Sequence, residues 1–266
     1  MADVRIEFRN VTKRFPPRVP HGEPVTAVKN VTVSIRDGEV VALIGPSGCG
    51  KSTLLNMGSG LYLPTDGEVL VDGERVTGPN PHVAFMLQKD LLLPWRTILQ
   101  NAELGLEIRS VGAAERRERA QALLVKCHLA GFENHYPHQL SGGMRQRAAL
   151  ARTLAVDPVV LLMDEPFSAL DAQTKMVLQQ DLAQTVAAER KTALLITHDL
   201  VESIALADRV LVMSARPGTI VEEIRLDDLP DRDNPMARRR KSRVQEYAAR
   251  LMELLHIGDQ LAPARI

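Results

Sequence analysis

The chain has 266 residues, 45% of them apolar and 25% charged, enough to enclose one large core with a small appendage. Lys plus Arg number 33, Asp plus Glu also number 33, and only 3% of residues are aromatic. That balance supplies neither the positive field nor the stacking surface of a nucleic-acid binder, so no nucleic-acid partner is expected. The two cysteines, Cys49 and Cys127, do not make a disulfide framework. The N-terminal residues lack the basic-then-apolar layout of a secretion signal, and no apolar run approaches the roughly 20 residues of a bilayer helix. The expectation is a cytoplasmic chain that reaches any membrane through a partner.

In chain order, Val4, Ile6 and Phe8 alternate with polar residues, as do Val31, Val33 and Ile35, predicting antiparallel strands. The stretch between them carries Pro16, Pro17, Pro20, Gly22 and Pro24 and reads as loop. Val40 to Ile44 is a continuous apolar run, the pattern of a strand buried on both faces. A helix from about Lys51 to Met57 follows, stopped by Gly58 and Gly60, and Glu68 to Val71 reads as a strand closed by Asp72-Gly73. Val83 to Leu87 is a second buried-strand candidate, and Thr97 to Ala130 reads as helical and charged.

Ser141 opens a further helix that Pro158 closes. Val159 to Met163 and Ala193 to Thr197 read as buried strands joined by a helix from Asp171 to about Arg190. Asp199 caps a short helix, and Val210 to Met213 adds one more strand. Strands alternating with helices predict a parallel sheet with right-handed crossovers. Beyond Pro217-Gly218 the character changes, and Asp227 to Pro235 reads as an acidic loop. Arg238 to Lys241 reads as a solvated basic face, and Val244, Tyr247, Ala248, Leu251 and Leu255 mark a terminal amphipathic helix.

Three segments carry chemistry. Gly45-Pro46-Ser47-Gly48-Cys49-Gly50-Lys51-Ser52 lies between a buried strand and a helix, where glycines let backbone N–H groups converge on phosphate oxygens. Lys51 would reach the outer phosphates and Ser52 would ligate magnesium. Asp164 and Glu165 end a buried strand, where α/β sheets bind ligands; Asp164 is placed to hold the metal and Glu165 to polarise an attacking water. Leu140-Ser141-Gly142-Gly143 puts two poor helix formers in a first turn, which makes sense where a bare helix end must approach another phosphate. His135 and His138, with His128 nearby, lack the thiolates or carboxylates of a zinc set.

Taken together, these motifs resemble the ATPase subunits of the ABC transporter superfamily over roughly residues 4–220. Gly45 to Ser52 matches the family's Walker A, with Thr53 following it; Val160 to Glu165 matches Walker B, and Leu140 to Arg147 the signature. Gln88 matches the Q-loop, Ser168 to Asp171 the D-loop and His198 the switch histidine. The resemblance implies an α/β P-loop NTPase fold, an ABC cassette with a mixed sheet core, an antiparallel β subdomain and an α-helical subdomain. It implies ATP and Mg2+ as ligands, with Gln88 at the metal and the attacking water as a catalytic residue beside Glu165 and His198, and a head-to-tail homodimer. In that dimer Ser141, Gly142 and Gly143 face the γ-phosphate bound by the other copy; Asp171 of the D-loop is implied as a nucleotide-binding residue, and His198 contacts the γ-phosphate of its own copy.

Phe15 matches the aromatic that stacks on adenine in relatives, although the proline-rich stretch after it is longer here. Leu92-Leu93-Pro94-Trp95 and Arg216-Pro217-Gly218 are similar to importers of nitrate, taurine and aliphatic sulfonates. Trp95 reads either as a packing site for a membrane subunit or as an interior residue of the helical subdomain. The resemblance implies residues 1–225 as the ATPase domain, with a helical subdomain at about 90–157, and residues 226–266 as a short tail. The implied partners are two integral-membrane permease subunits and an extracytoplasmic solute-binding protein, with the ATPase peripheral on the cytoplasmic face of the membrane. Weighed against this are a non-transport ABC ATPase and the ATPase of an exporter or lipid transporter; the coiled-coil insertion of repair members and the second cassette of translation members are not found.

Overall fold

The computed structural model describes residues 4–17 and 22–260, with side chains through residue 255. Pro20 of the predicted loop lies outside these residues, as does the end of the tail.

The chain begins with β1 (Val4–Phe15) and β2 (Val25–Arg36), an antiparallel pair in which Phe8 faces Val33. It continues through β3 (Val40–Ile44), α1 (Lys51–Gly58), β4 (Asp66–Val71), β5 (Glu74–Arg75) and β6 (Val83–Met86). Three helices follow, α2 (Ile98–Ile108), α3 (Ala113–Lys126) and α4 (Gly142–Ala155). Then come β7 (Val160–Asp164), α5 (Ala172–Ala188), β8 (Thr192–Ile196), α6 (Leu200–Leu206), β9 (Arg209–Met213) and β10 (Ile220–Arg225). The tail holds α7 (Pro235–Arg238) and α8 (Ser242–Gln260).

Two sheets result. The larger has six strands in the order β10-β9-β3-β8-β7-β6, parallel except for the antiparallel edge strand β10. Every residue of β3, β7, β8 and β9 is buried, which is what continuous apolar runs demand: helices or a second sheet must cover both faces. The smaller sheet is antiparallel, β2-β1-β4-β5, with the Asp72-Gly73 turn joining its last two strands. It packs Ile6, Phe8, Val33 and Ile35 with Leu54, Leu55 and Met57 of α1 and with Leu43 and Leu162 of the main sheet, so α1 is enclosed between the two sheets. The other face is covered by α2 to α6 and by the tail, whose Val244, Ala248 and Leu251 join the larger core.

The structure refines or corrects the sequence reading at four places. The helical segment from Thr97 to Ala130 is divided into α2 and α3. α2 ends where Ser110 takes a left-handed conformation (φ 59°) and Val111 N–H bonds back to Leu106 O, and Gly112 restarts the chain. Ile220–Arg225, where the sequence predicted no element, is a strand; at the edge of the sheet it buries a single side chain, Ile224. Arg238 is not on a solvated face: it is 1% exposed and donates to Ala207 O. Trp95 is not interior: it is 71% exposed.

Leu251 is fully buried where α8 meets α6 and β9, and Leu251→Ala is expected to cost about 2–5 kcal/mol of stability. Urea unfolding of the purified chain checks this; an unchanged midpoint would mean that the tail is not part of the cooperative core.

Candidate functional site

Four polypeptide segments leave the carboxyl ends of parallel strands on one edge of the main sheet. The glycine-rich loop leaves β3, Gln88 follows β6, Glu165 follows β7 and His198 follows β8. Neighbouring parallel strands end side by side, so residues far apart in sequence meet here.

The glycine-rich loop is held by sterics as much as by hydrogen bonds. Gly50 sits at φ 110°, and a Cβ there would lie 2.7 Å from Ala27 O of β2. No side chain with a carbon branch fits that backbone or that space. Gly50 is also the N-cap of α1 and supplies no side-chain cap, which leaves the first N–H groups of the helix for a ligand. Lys51 Nζ donates to Gly45 O (2.7 Å) and Pro46 O (2.9 Å), folding its ammonium over the loop. Cys49 is buried beneath, its Sγ 3.8 Å from Lys51 Nζ. The loop after β9 braces the cradle from outside: a Cβ on Gly218 would meet Cys49 O at 2.0 Å, and Arg216 Nε donates to Gly48 O at 3.1 Å.

Glu165 stands in the left-handed region (φ 50°), uncommon for a residue with a side chain and typical of positions where function sets the backbone. Its two carboxylate oxygens have separate partners. Gln88 Nε2 donates to Oε2 at 2.9 Å, and His198 Nδ1 lies 3.0 Å from Oε1. Asp164, 7% exposed, lies beside it. Burial pushes the Asp164 carboxyl above the usual carboxylate range, a hydrogen bond from Ser52 opposes that, and the neighbouring Glu165 charge adds to the rise. A buried carboxylate sharing a hydroxyl with Ser52, beside a glutamine whose nitrogen is engaged and whose carbonyl oxygen has no partner among the described residues, makes an all-oxygen donor set. Such a set suits a hard divalent cation such as magnesium.

The glycine-rich loop, Gln88, Asp164 and Glu165 open into a cavity of about 810 Å³, which His198 borders only through Glu165. Ser47, Gly48, Gly50, Lys51, Ser52 and Thr53 form its floor, and Gln88, Asp164 and Glu165 one wall. Phe15 and Tyr62 form the far wall with ring centroids 5.6 Å apart, edge to face, and Lys13 Nζ lies 5.4 Å from the Phe15 centroid. Gly45, Pro46 and Cys49 belong to the loop but do not line the cavity.

Ser141, Gly142, Gly143 and Asp171 are not brought into this cavity. Ser141 Oγ caps α4 by accepting from Met144 N–H (3.3 Å), and Asp171 caps α5 by accepting from Thr174 N–H (2.9 Å). A Cβ on Gly143 would meet Leu170 Cδ2 at 3.2 Å, so the starts of α4 and α5 lie against each other, while a Cβ on the exposed Gly142 would meet only Arg145 Nη2, at an ordinary 3.9 Å. His128 pairs with Asp181 (3.0 Å), whereas His138 stacks against Tyr136.

Sequence reasoning missed three residues. Tyr62 follows the predicted helix stop, where only its aromatic type gave a signal. Arg216 was read as a branch marker rather than a brace. Asn101, fully buried, donates to Leu93 O, Arg96 O and Thr97 O and accepts from Leu93 N–H, so it pins the loop that presents Trp95.

The family described as ABC transporter matches residues 28–168. The nitrate import ATP-binding protein NrtD of Synechocystis sp. is 43% identical over 235 residues, 87% of this chain and 88% of that protein. The taurine import ATP-binding protein TauB of Yersinia pestis bv. Antiqua is 44% identical over 206 residues, 77% of this chain and 80% of that protein. Among solved structures, a dimeric ATP-binding cassette in a post-hydrolysis state, bound to ADP and Pi, is 35% identical. It superposes with a TM-score of 0.76 over 83% of this chain and 98% of that one.

Gly50→Ala is expected to weaken nucleotide binding by roughly ten- to hundredfold, since the strain and the clash with Ala27 fall on the cradle itself. Titration with a fluorescent ATP analogue checks this; unchanged affinity would contradict the cradle assignment.

Proposed function

The chain belongs to the ABC transporter family of ATP-binding subunits, and from that membership we propose that it powers uptake of a small solute, of the nitrate, taurine or sulfonate kind, through a membrane permease. The chain is an ATPase, and the proposal assigns its parts. Residues 1–225 act as the ATPase domain, with a helical subdomain at about 90–157, and residues 226–266 as a short tail with a terminal amphipathic helix.

The observation that carries the reading is the grip on Glu165, one oxygen held by Gln88 and the other facing His198, beside the Ser52–Asp164 pair. ATP lies with its phosphates against the N–H groups from Gly48 to Thr53 and its base toward Phe15 and Tyr62. Lys51 turns from its loop carbonyls to the outer phosphates. Ser52, Asp164 and Gln88 would hold Mg2+, which when bound neutralises charge on the β- and γ-phosphate oxygens. Glu165 accepts a proton from the attacking water, and His198 steadies the γ-phosphate, giving ADP and inorganic phosphate.

The exposed start of α4, with Gly142 open, supports a second copy as the missing wall: its Ser141 to Gly143 would close on the γ-phosphate, with Asp171 at the seam. The neighbouring solved cassette is itself a dimer. Among the described residues no helix is long and apolar enough to cross a membrane, so spanning is assigned to two permease subunits, with a solute-binding protein on the far side. Trp95, 71% exposed on a loop pinned by the buried Asn101, suits a permease contact, because a large aromatic held rigidly on a surface loses little entropy on docking. The nitrate and taurine relatives stand at 43% and 44% identity, so the cassette does not separate these solutes, and selection is assigned to the partners.

Glu165→Gln is expected to keep ATP binding while hydrolysis falls by about two to four orders of magnitude. The same variant should form an ATP-dependent dimer by size-exclusion chromatography; wild-type turnover would refute the base assignment. Trp95→Ala in the assembled transporter should lower solute uptake by about threefold or more with ATP affinity unchanged, as checked by vesicle transport. Undiminished uptake would place the permease contact elsewhere.

A further inference from the structure

Away from the cavity, one buried polar network is not used by the reaction as derived above. Lys175 of α5 bridges two carboxylates of the neighbouring segment, Asp199 at 2.8 Å and Glu202 at 2.6 Å. Glu202 also accepts from Gln179 Nε2 at 2.8 Å. Glu202 and Gln179 are 2% and 1% exposed, which is costly for a carboxylate and an amide unless both are fully partnered. One ammonium does not neutralise two carboxylates. The missing positive charge comes from the tail, where Arg239 donates to Gln179 Oε1 at 2.5 Å.

The other end of this network borders the catalytic edge. Asp199 caps α6 by accepting from Glu202 N–H (3.0 Å), and its own N–H donates to Thr197 Oγ1 (3.1 Å). Both contacts fix the backbone on either side of His198, whose Nδ1 faces Glu165. Lys175 lies in the first turn of α5, where its N–H bonds to Asp171 O, so the same ammonium ties the start of that helix to the His198 segment. Burial resists ionisation of Asp199, but Lys175, the Glu202 N–H and the more distant Arg239 charge together hold its pKa below the usual carboxylate value. The tail is anchored independently of Arg239: Arg238 donates to Ala207 O at the end of α6, and Gln180 Nε2 donates to Asp233 O.

We infer that Arg239 is a positioning residue for ATP hydrolysis. Through Gln179, Glu202, Lys175 and Asp199 it holds His198 at its distance from Glu165 and keeps α5 in register with it. A tail beyond the last strand thereby becomes part of the hydrolytic machinery without touching nucleotide. The inference rests on His198 acting at the γ-phosphate.

The test measures ATPase kinetics of the purified full-length chain, with thermal unfolding as the control for folding. His198→Ala should abolish most turnover. Arg239→Ala should unfold near the wild-type temperature and lower kcat by about three- to tenfold, with KM for ATP within about twofold. Arg239→Lys, which keeps both charge and donor, should restore most of the rate. An Arg239→Ala chain with wild-type kcat, one altered only in KM, or an Arg239→Lys chain as slow as Arg239→Ala would overturn the positioning role. A His198→Ala chain at the wild-type rate would instead remove the histidine reading beneath it.

Discussion

The structure turns on how Glu165 is held. Its backbone is forced into the left-handed region at the end of β7, and its carboxylate is divided between Gln88 and His198, which follow the strands on either side. A carboxylate held in this way does not sample other rotamers freely, so its orientation is determined before any nucleotide arrives. The sheet register is therefore a catalytic parameter. A shift of β6 or β8 against β7 would move one partner and leave the other in place.

The cradle obeys the same economy. Gly50 packs on β2, Gly218 on Cys49, and Arg216 on Gly48, so the loop that approaches phosphate is shaped from both sides by elements with no chemistry of their own. At the start of α4 the logic is reversed. Two glycines in a helical first turn cost about 0.8–1 kcal/mol each relative to alanine. Within one chain Gly142 meets nothing that needs its small size. Gly143 packs against Leu170 within the chain, but on the dimer account the cost at Gly142 is offset only when a phosphate held by another copy approaches the helix end.

Much of this was legible in the residues. Continuous apolar runs marked the strands buried on both faces, and Ser141, Asp171 and Asp199 were readable as caps because a short polar side chain before a helix has one dominant local use. What was not legible depends on tertiary partners. Ile220–Arg225 lacks strict alternation because an edge strand pairs on one side only. Arg238 carries the same charge as its exposed neighbour Arg240, and its burial depends on the carbonyl of Ala207 and the nearby Asp208 charge, which come from elsewhere in the chain. The convergence of Gln88, Glu165 and His198 was implied by family resemblance; no spacing in the sequence encodes it, because strand order is a property of the folded sheet. Cys127 gave no signal either way, and burial pushes its thiol pKa up to about 12, which leaves it inert.

The central claim is that the triphosphate is enclosed by the glycine-rich loop of one copy and the α4 start of another. Cross-linking tests it most directly, since Ser47 and Ser141 are both exposed and the native Cys49 and Cys127 are both buried. Chains carrying Ser47→Cys are mixed with chains carrying Ser141→Cys, both in a hydrolysis-deficient background, and treated with a short bifunctional thiol reagent. The account predicts a covalent dimer between the two kinds of chain that forms with ATP and not with ADP. A yield that is the same with or without ATP would contradict it.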